Sequence, residues 1–105
     1  MKTLPNFKRG DTFAFIATIR DQIGDPITGV SANLRSQVRD KMGFKYADLS
    51  VSETETPGSY LFQVQDTTSW PADTSIYTDI EYTDGQGTIT SSETIEIPVV
   101  KDVTI

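Results

Sequence analysis

Alternation of apolar and polar residues with a period of two, and almost no helical periodicity, most limits what this chain can become. The stretch "SANLRSQVRD" (31–40) carries it most clearly. Ala32, Leu34, Ser36 and Val38 point one way and Asn33, Arg35, Gln37 and Arg39 the other, as in a strand with one wet face. "TFAFIATI" (12–19) aligns Phe13, Phe15, Ala17 and Ile19 against Ala14, Ile16 and Thr18. "SYLFQVQD" (59–66) turns Tyr60, Phe62 and Val64 inward, and "SIYTDIEYT" (75–83) sets Ile76, Thr78, Ile80 and Tyr82 against Tyr77, Asp79 and Glu81.

Turn chemistry separates these runs. "RDQIGDPITG" (20–29) is a turn cluster, and "DKMG" (40–43) is a tight turn that makes "FKYADLSV" (44–51) a hairpin partner for the strand before it. "SETETPG" (52–58) closes that partner, and "DGQG" (84–87) is a second hairpin turn. "TTSWPADT" (67–74) has room for a single helical turn, because Trp70 followed by Pro71 disfavours anything longer. In "TITSSETIEIPVV" (88–100), Ile89, Ser91, Glu93, Ile95 and Ile97 share a phase that Glu93 interrupts. An exposed hairpin end before Ile95 accounts for it better than a bulge at Ser91-Ser92. Pro98 predicts a sheet edge or a bulge for the last run.

About seven or eight strands, spaced by turns roughly every 8–12 residues, are the pattern of a two-sheet antiparallel β-sandwich, with a small barrel as the alternative. At 105 residues the chain is a single domain, 1–105. A domain of that size buries about 65% of its unfolded surface, enough for one core without staples.

The composition also limits the chemistry. Cysteine and histidine are both absent, which removes disulfides, thiolate metal sites, the commonest metal ligand and the commonest general base. A formal net charge of −6 repels phosphate and anionic lipid, and no dense basic run offsets it, so neither nucleic acid nor membrane insertion is expected. "MKTLPNFKRG" lacks the apolar region of a signal peptide, and no window approaches the ~20 apolar residues of a membrane span.

Specific motifs resolve the same way. "YTDGQG" places Tyr82 and Ile80 where a calcium loop needs oxygen ligands, and Asp79, Glu81 and Asp84 more simply face solvent, so no metal is expected. Trp70 and Tyr77 could form a sugar platform, but a lone Trp in a small domain is more often a core plug. The carboxylates fall in turns and on exposed faces where nothing would raise an acid's pKa, and there is no nucleophile elbow, phosphate loop or dinucleotide fingerprint. No catalytic residue, cofactor or metal ligand is assigned, and the chain is not expected to be an enzyme. Arg9-Gly10-Asp11, known elsewhere as an adhesion tripeptide, stands directly before an apolar strand and reads as a turn.

The combination of "FKRGDTF", "LRSQVRDKMG", "WP" followed by "DIEYTDGQG", and the closing "SSETIEIPVVKDVT" resembles a family of small prophage-encoded proteins from tail and baseplate gene regions. The resemblance covers nearly the whole chain and rests on short strand and turn features. It implies an immunoglobulin-like β-sandwich, synthesised in the host cytoplasm, with a structural or assembly role in or near the virion tail. It implies other phage structural proteins, or further copies of itself, as partners, and it brings no catalytic residues. The alternative is a carbohydrate-binding or adhesive sandwich.

An immunoglobulin-like order sets residues 31–40 beside residues 75–83. Arg35 and Arg39 then share an outer face with Asp79 and Glu81, as pairs of opposite charge across neighbouring strands. With Gln37 and Tyr77 added, that face is the expected partner surface.

Overall fold

The computed structural model describes residues 1–101; the end of the closing "SSETIEIPVVKDVT" stretch, at 102–104, lies outside the described residues. Twelve strands form: β1 (Lys2–Thr3), β2 (Phe7–Lys8), β3 (Phe13–Thr18), β4 (Leu34–Arg35), β5 (Gln37–Arg39), β6 (Lys45–Asp48), β7 (Ser50–Glu53), β8 (Ser59–Val64), β9 (Thr74–Thr78), β10 (Glu81–Thr83), β11 (Ile89–Ser91) and β12 (Ile95–Val100). One 3₁₀ turn, Ser31–Asn33, precedes β4. Several strands are halves of one run. Joining β1 with β2, β4 with β5, β6 with β7, β9 with β10 and β11 with β12 leaves seven runs, within the range expected from the turn spacing.

The larger sheet has the order β1-β12-β9-β5-β6, with β2 following β1 along β12, and the opposing sheet is β3-β8-β7. A further three-stranded sheet, β11-β10-β4, continues the larger one through the other halves of three of its runs. β3, β8 and β7 thus take the places of B, E and D in an immunoglobulin-type sandwich, and β12, β9, β5 and β6 those of G, F, C and C′. The first run differs from the simplest version of that plan. It lies parallel to β12, through Lys2↔Ile95 and Phe7↔Val99, and leaves β3 paired with β8 alone among the described residues.

Alternation correctly assigns the inward faces. Phe13, Leu34, Val38, Tyr60, Phe62, Ile76, Ile80, Ile97 and Val99 are buried, and Phe15, Ala17 and Val64 pack against them. Phe15 stacks on Phe62 at 5.0 Å, and Phe7 and Phe13 each lie 5.3 Å from Trp70. Trp70 is 1% exposed, a core plug packed between Phe7 and Phe13, whose indole N–H has no hydrogen-bond partner among the described residues. Tyr60 satisfies its buried hydroxyl by donating to the Ile27 carbonyl (2.7 Å), which ties the 20–29 turn cluster to the core. Gly58, at φ 80, lets the chain pass so close to Pro26 that any Cβ would collide with it at 2.4 Å.

Three hairpin turns share one construction. Asp21, Asp40 and Asp84 each accept, through Oδ1, the backbone N–H groups two and four residues on, at 2.8 to 3.0 Å. In each, a glycine at φ between 83 and 96 (Gly24, Gly43 or Gly87) returns its N–H to the aspartate carbonyl at 3.1 Å. The aspartate supplies the acceptor and the glycine the left-handed residue that a short hairpin needs. "DQIG", "DKMG" and "DGQG" are therefore the same turn.

Arg9-Gly10-Asp11 is also a turn. Asp11 N–H bonds the Lys8 carbonyl (3.2 Å), while the buried Thr67 hydroxyl accepts from Gly10 N–H (2.8 Å) and donates to the Asp11 carbonyl (2.7 Å).

Four local expectations need correction. Residues 31–40 are not one strand: Ala32 is exposed in the 3₁₀ turn, and the strand proper is cut at Ser36. "FKYADLSV" is cut at buried Leu49, whose N–H bonds the Ser36 carbonyl (2.9 Å), so β6 pairs with β5 and β7 crosses to β8. The Trp70 region closes one hydrogen-bonded turn, Trp70 N–H to Thr67 carbonyl (3.1 Å), without becoming helical. Pro98 lies in a strand paired on both sides. The carbonyls of Thr94, Glu96 and Val100 accept from Lys2, Leu4 and Arg9, so alternation points the Pro98 nitrogen the same way, at the gap between β1 and β2 where no donor is needed. Ile89, Ser91 and Glu93 are all exposed, against their phase and in line with an exposed hairpin end before Ile95.

Candidate functional site

The site is built on a break. The three runs at the middle of the larger sheet are interrupted at one level: at Ser36 between β4 and β5, at residues 79 and 80 between β9 and β10, and at residues 92–94 between β11 and β12. Polar groups hold the break from inside. The buried Ser36 hydroxyl donates to the Asp79 carbonyl (2.8 Å) and shares a 2.7 Å bond with the buried Thr78 hydroxyl. Ile80 N–H donates to the Ser92 hydroxyl (2.9 Å), and Ser92 N–H returns to the Ile80 carbonyl (2.8 Å). These bonds replace ladder bonds lost where the strands turn, so the sheet bends without leaving its backbone groups unpaired.

On the outer face at this level opens a cleft of about 340 Å³. Arg35, Gln37, Arg39, Tyr77, Asp79 and Glu81, the six residues expected on one outer face, all line it, together with Thr78 and Thr94. Backbone register places Arg39 opposite Tyr77 and Arg35 opposite Glu81. Arg35 and Arg39 are exposed, and the other four are half-buried.

The expected pairing of opposite charges does not form. Among the described residues no ion pair within 4.0 Å joins either arginine to Asp79 or Glu81. Arg39 is drawn the other way, donating to the Gly43 carbonyl and to Gln37 Oε1, both at 2.7 Å. Gln37 in turn donates to Asp48 (2.7 Å), which pairs with Lys45 (2.8 Å). This chain of bonds crosses from β5 to β6, away from β9, and the bulge between Val38 and Arg39 swings the arginine towards it.

The acidic wall is left uncompensated. Partial burial, and then the neighbouring Glu81 charge, push the Asp79 carboxyl above its ordinary pKa. One strand away on the same face, Glu96 behaves oppositely, held below the ordinary range by hydrogen bonds from Ser75 (2.6 Å) and Thr3 (3.0 Å). The cleft therefore presents Arg35 and Arg39 on one side and the carboxylates of Asp79 and Glu81 on the other, within reach of an incoming polar chain.

Trp70 plays no part in this face and cannot join Tyr77 in a sugar platform, because it is enclosed in the core. Among the described residues no group of three or more acidic side chains converges on a metal-sized site, and no helix is long and apolar enough to cross a membrane. The residues that sequence reasoning missed are Ser36, Thr78 and Ser92, whose hydroxyls bond across the break at the level of the cleft. Ser36 and Thr78 were visible as polar residues in otherwise apolar inward phases; nothing local marks Ser92.

Fold and site together define a small immunoglobulin-type sandwich with a polar cleft on the outer face of its larger sheet. No protein-family model and no curated protein matches the chain.

Proposed function

We propose that the protein is a non-catalytic assembly module that acts by protein–protein contact through the cleft between Arg35 and Arg39 on one side and Asp79 and Glu81 on the other. The observation that carries this reading is the absence, among the described residues, of any ion pair joining these four groups on a face where their strands are adjacent. Charged groups that satisfy each other make a solvated surface; groups held apart across a cleft gain more from a partner of complementary charge. The setting we propose is the tail or baseplate region of a phage or prophage, which the resemblance of the strand and turn motifs implies, with other structural proteins of the particle as partners and the virion tail as location.

Charge reversal tests it. The double variant Arg35→Glu/Arg39→Glu alters two exposed residues and should stay within ~1–2 kcal/mol of wild-type stability. Tagged wild-type protein from a lysate of an induced lysogen should recover tail or baseplate components identified by mass spectrometry, and the double variant should not. Normal assembly of the folded double variant in a complementation assay would exclude the cleft as the contact. Failure of wild-type protein to recover any particle component would exclude the phage setting.

A further inference from the structure

The edges of the two sheets are not equally defended. Exposed edges are commonly blunted by shortness, charge, proline or bulges. β1 and β2 are two residues each, carry Lys2 and Lys8, and are separated by Pro5. β6 carries Lys45 and Asp48, β7 carries Glu53, and β11 is three residues at a hairpin tip. β3 has none of these devices. Its six residues, Phe13–Thr18, pair with β8 in unbroken register and contain no charge and no proline.

The backbone groups on that edge can be assigned. Ile19 N–H donates to the Gly58 carbonyl (2.8 Å), so the odd-numbered residues of β3 aim their backbone groups at β8. Ala14, Ile16 and Thr18 then aim theirs outward, where no strand of the described residues meets them. Beside this edge, between the sheets, lies a second cleft of about 190 Å³ whose floor includes Leu4, Phe15, Ala17, Ile80 and Ile95, with Lys2, Ser92 and Glu93 also lining it. Exposed Ile16, at 65%, stands at its rim. In an immunoglobulin-type sandwich this is the side on which the first strand can pair, whereas here that strand has gone to β12.

We propose that the open edge of β3 accepts a strand donated by another polypeptide, an extended segment with aliphatic side chains at alternate positions and basic flanks. The backbone groups of Ala14, Ile16 and Thr18 specify an extended chain, since only a strand can pair with such a row. The apolar part of the cleft, from Leu4, Phe15, Ala17, Ile80 and Ile95, favours aliphatic residues on the inward side of that strand. The chain's net charge of −6 favours basic flanks and disfavours a second copy of this protein as the donor. This inference is independent of the polar cleft and of the phage setting.

The test uses isotope-labelled full-length protein and an acetylated, amidated probe peptide, Lys-Val-Thr-Val-Thr-Val-Thr-Lys. In free protein the amides of Ala14, Ile16 and Thr18 should exchange with solvent at least about tenfold faster than those of Phe13, Phe15 and Ala17, and the probe should slow them by about tenfold or more. Ile16→Lys should abolish that protection, while Ser52→Lys on β7 and the Arg35→Glu/Arg39→Glu pair should leave it unchanged. N-methylation of the probe's threonines, whose side chains share the outer face with Ala14, Ile16 and Thr18 and whose backbone groups meet theirs in an antiparallel pair, should also abolish it. Protection of the three amides in the absence of probe, concentration-dependent or not, would overturn the proposal by showing the edge already covered. Failure of the probe to protect them, or equal loss of protection with Ser52→Lys, would overturn it as well.

Discussion

The aromatic end of the sandwich and the level at which its larger sheet breaks are built from the same alternating strands, yet different forces hold them. At the aromatic end, Phe7, Phe13, Phe15, Phe62 and Trp70 interlock at ring separations of 5.0 to 5.8 Å. At the break, Ser36, Thr78 and Ser92 give every turning strand a specific hydrogen bond. Buried area gathers a core without fixing strand continuity. Directional bonds decide where a sheet bends, and the bend creates the cleft.

The comparison can be broken most severely at the aromatic end. Phe62→Ala removes a fully buried ring stacked on Phe15 and should cost ~3–5 kcal/mol, read from urea denaturation midpoints. At the break, Ser36→Ala should cost less, ~1–3 kcal/mol, because it removes two short bonds and leaves the Thr78 hydroxyl and the Asp79 carbonyl only their longer 3.3 Å contact, without opening a large void. Adding Thr78→Val should then cost less than the sum of the single changes, since both lose the same bond. A simple additive result would show that the polar cluster is not one unit.

The two outer-face carboxylates sharpen the contrast through pH. A carboxyl raised in the folded state favours folding below its unfolded pKa, and that contribution is lost as pH rises through the folded value. Asp79→Asn should therefore be more stable than wild type at pH 7, with the gain vanishing below about pH 4, where Asp79 is protonated in both states. Glu96 has the opposite sign. Its lowered pKa contributes stability above the unfolded value that is lost as pH falls through the folded one, so Glu96→Gln should be less stable at pH 7, with the deficit closing in acid. Melting curves across pH for the two variants should move towards the wild type from opposite sides.

The smallest effect is expected at the tripeptide turn. Backbone groups and Thr67 hold Arg9-Gly10-Asp11, so Asp11→Glu should change stability by less than ~0.5 kcal/mol. Thermal melting checks it. Cell attachment that depends on integrin and is abolished by Asp11→Glu, at unchanged stability, would give the tripeptide an adhesive role after all.

Much of the fold was legible because alternation is a local signal. Leu34 and Val38, Ile76 and Ile80, and Ile95 and Ile97 all face inward as their phases require. The Asp-to-Gly turns were equally legible, since the groups that build each one lie within five residues. For the site, sequence phase placed Arg35, Gln37, Arg39, Tyr77, Asp79 and Glu81 together but misjudged how they interact. Arg39 stands opposite Tyr77 rather than an acidic residue, and it takes the Gly43 carbonyl, four residues along its own hairpin. A short loop carbonyl in fixed geometry outcompeted a flexible ion pair on an exposed face.

The sequence by itself determined which side chains point inward, because the pleat turns each residue opposite to the last and needs no distant partner to do so. It also determined the turns, through aspartate and glycine a few residues apart. Only the tertiary structure decided that β3 pairs with β8 alone among the described residues, that β7 crosses to the second sheet, and that three runs break at one level. Those outcomes depend on contacts far apart in the chain, such as the bond between Ser36 and Thr78, 42 residues distant. Each strand's pattern is compatible with several neighbours, and the choice among them is made when both sheets close over one core.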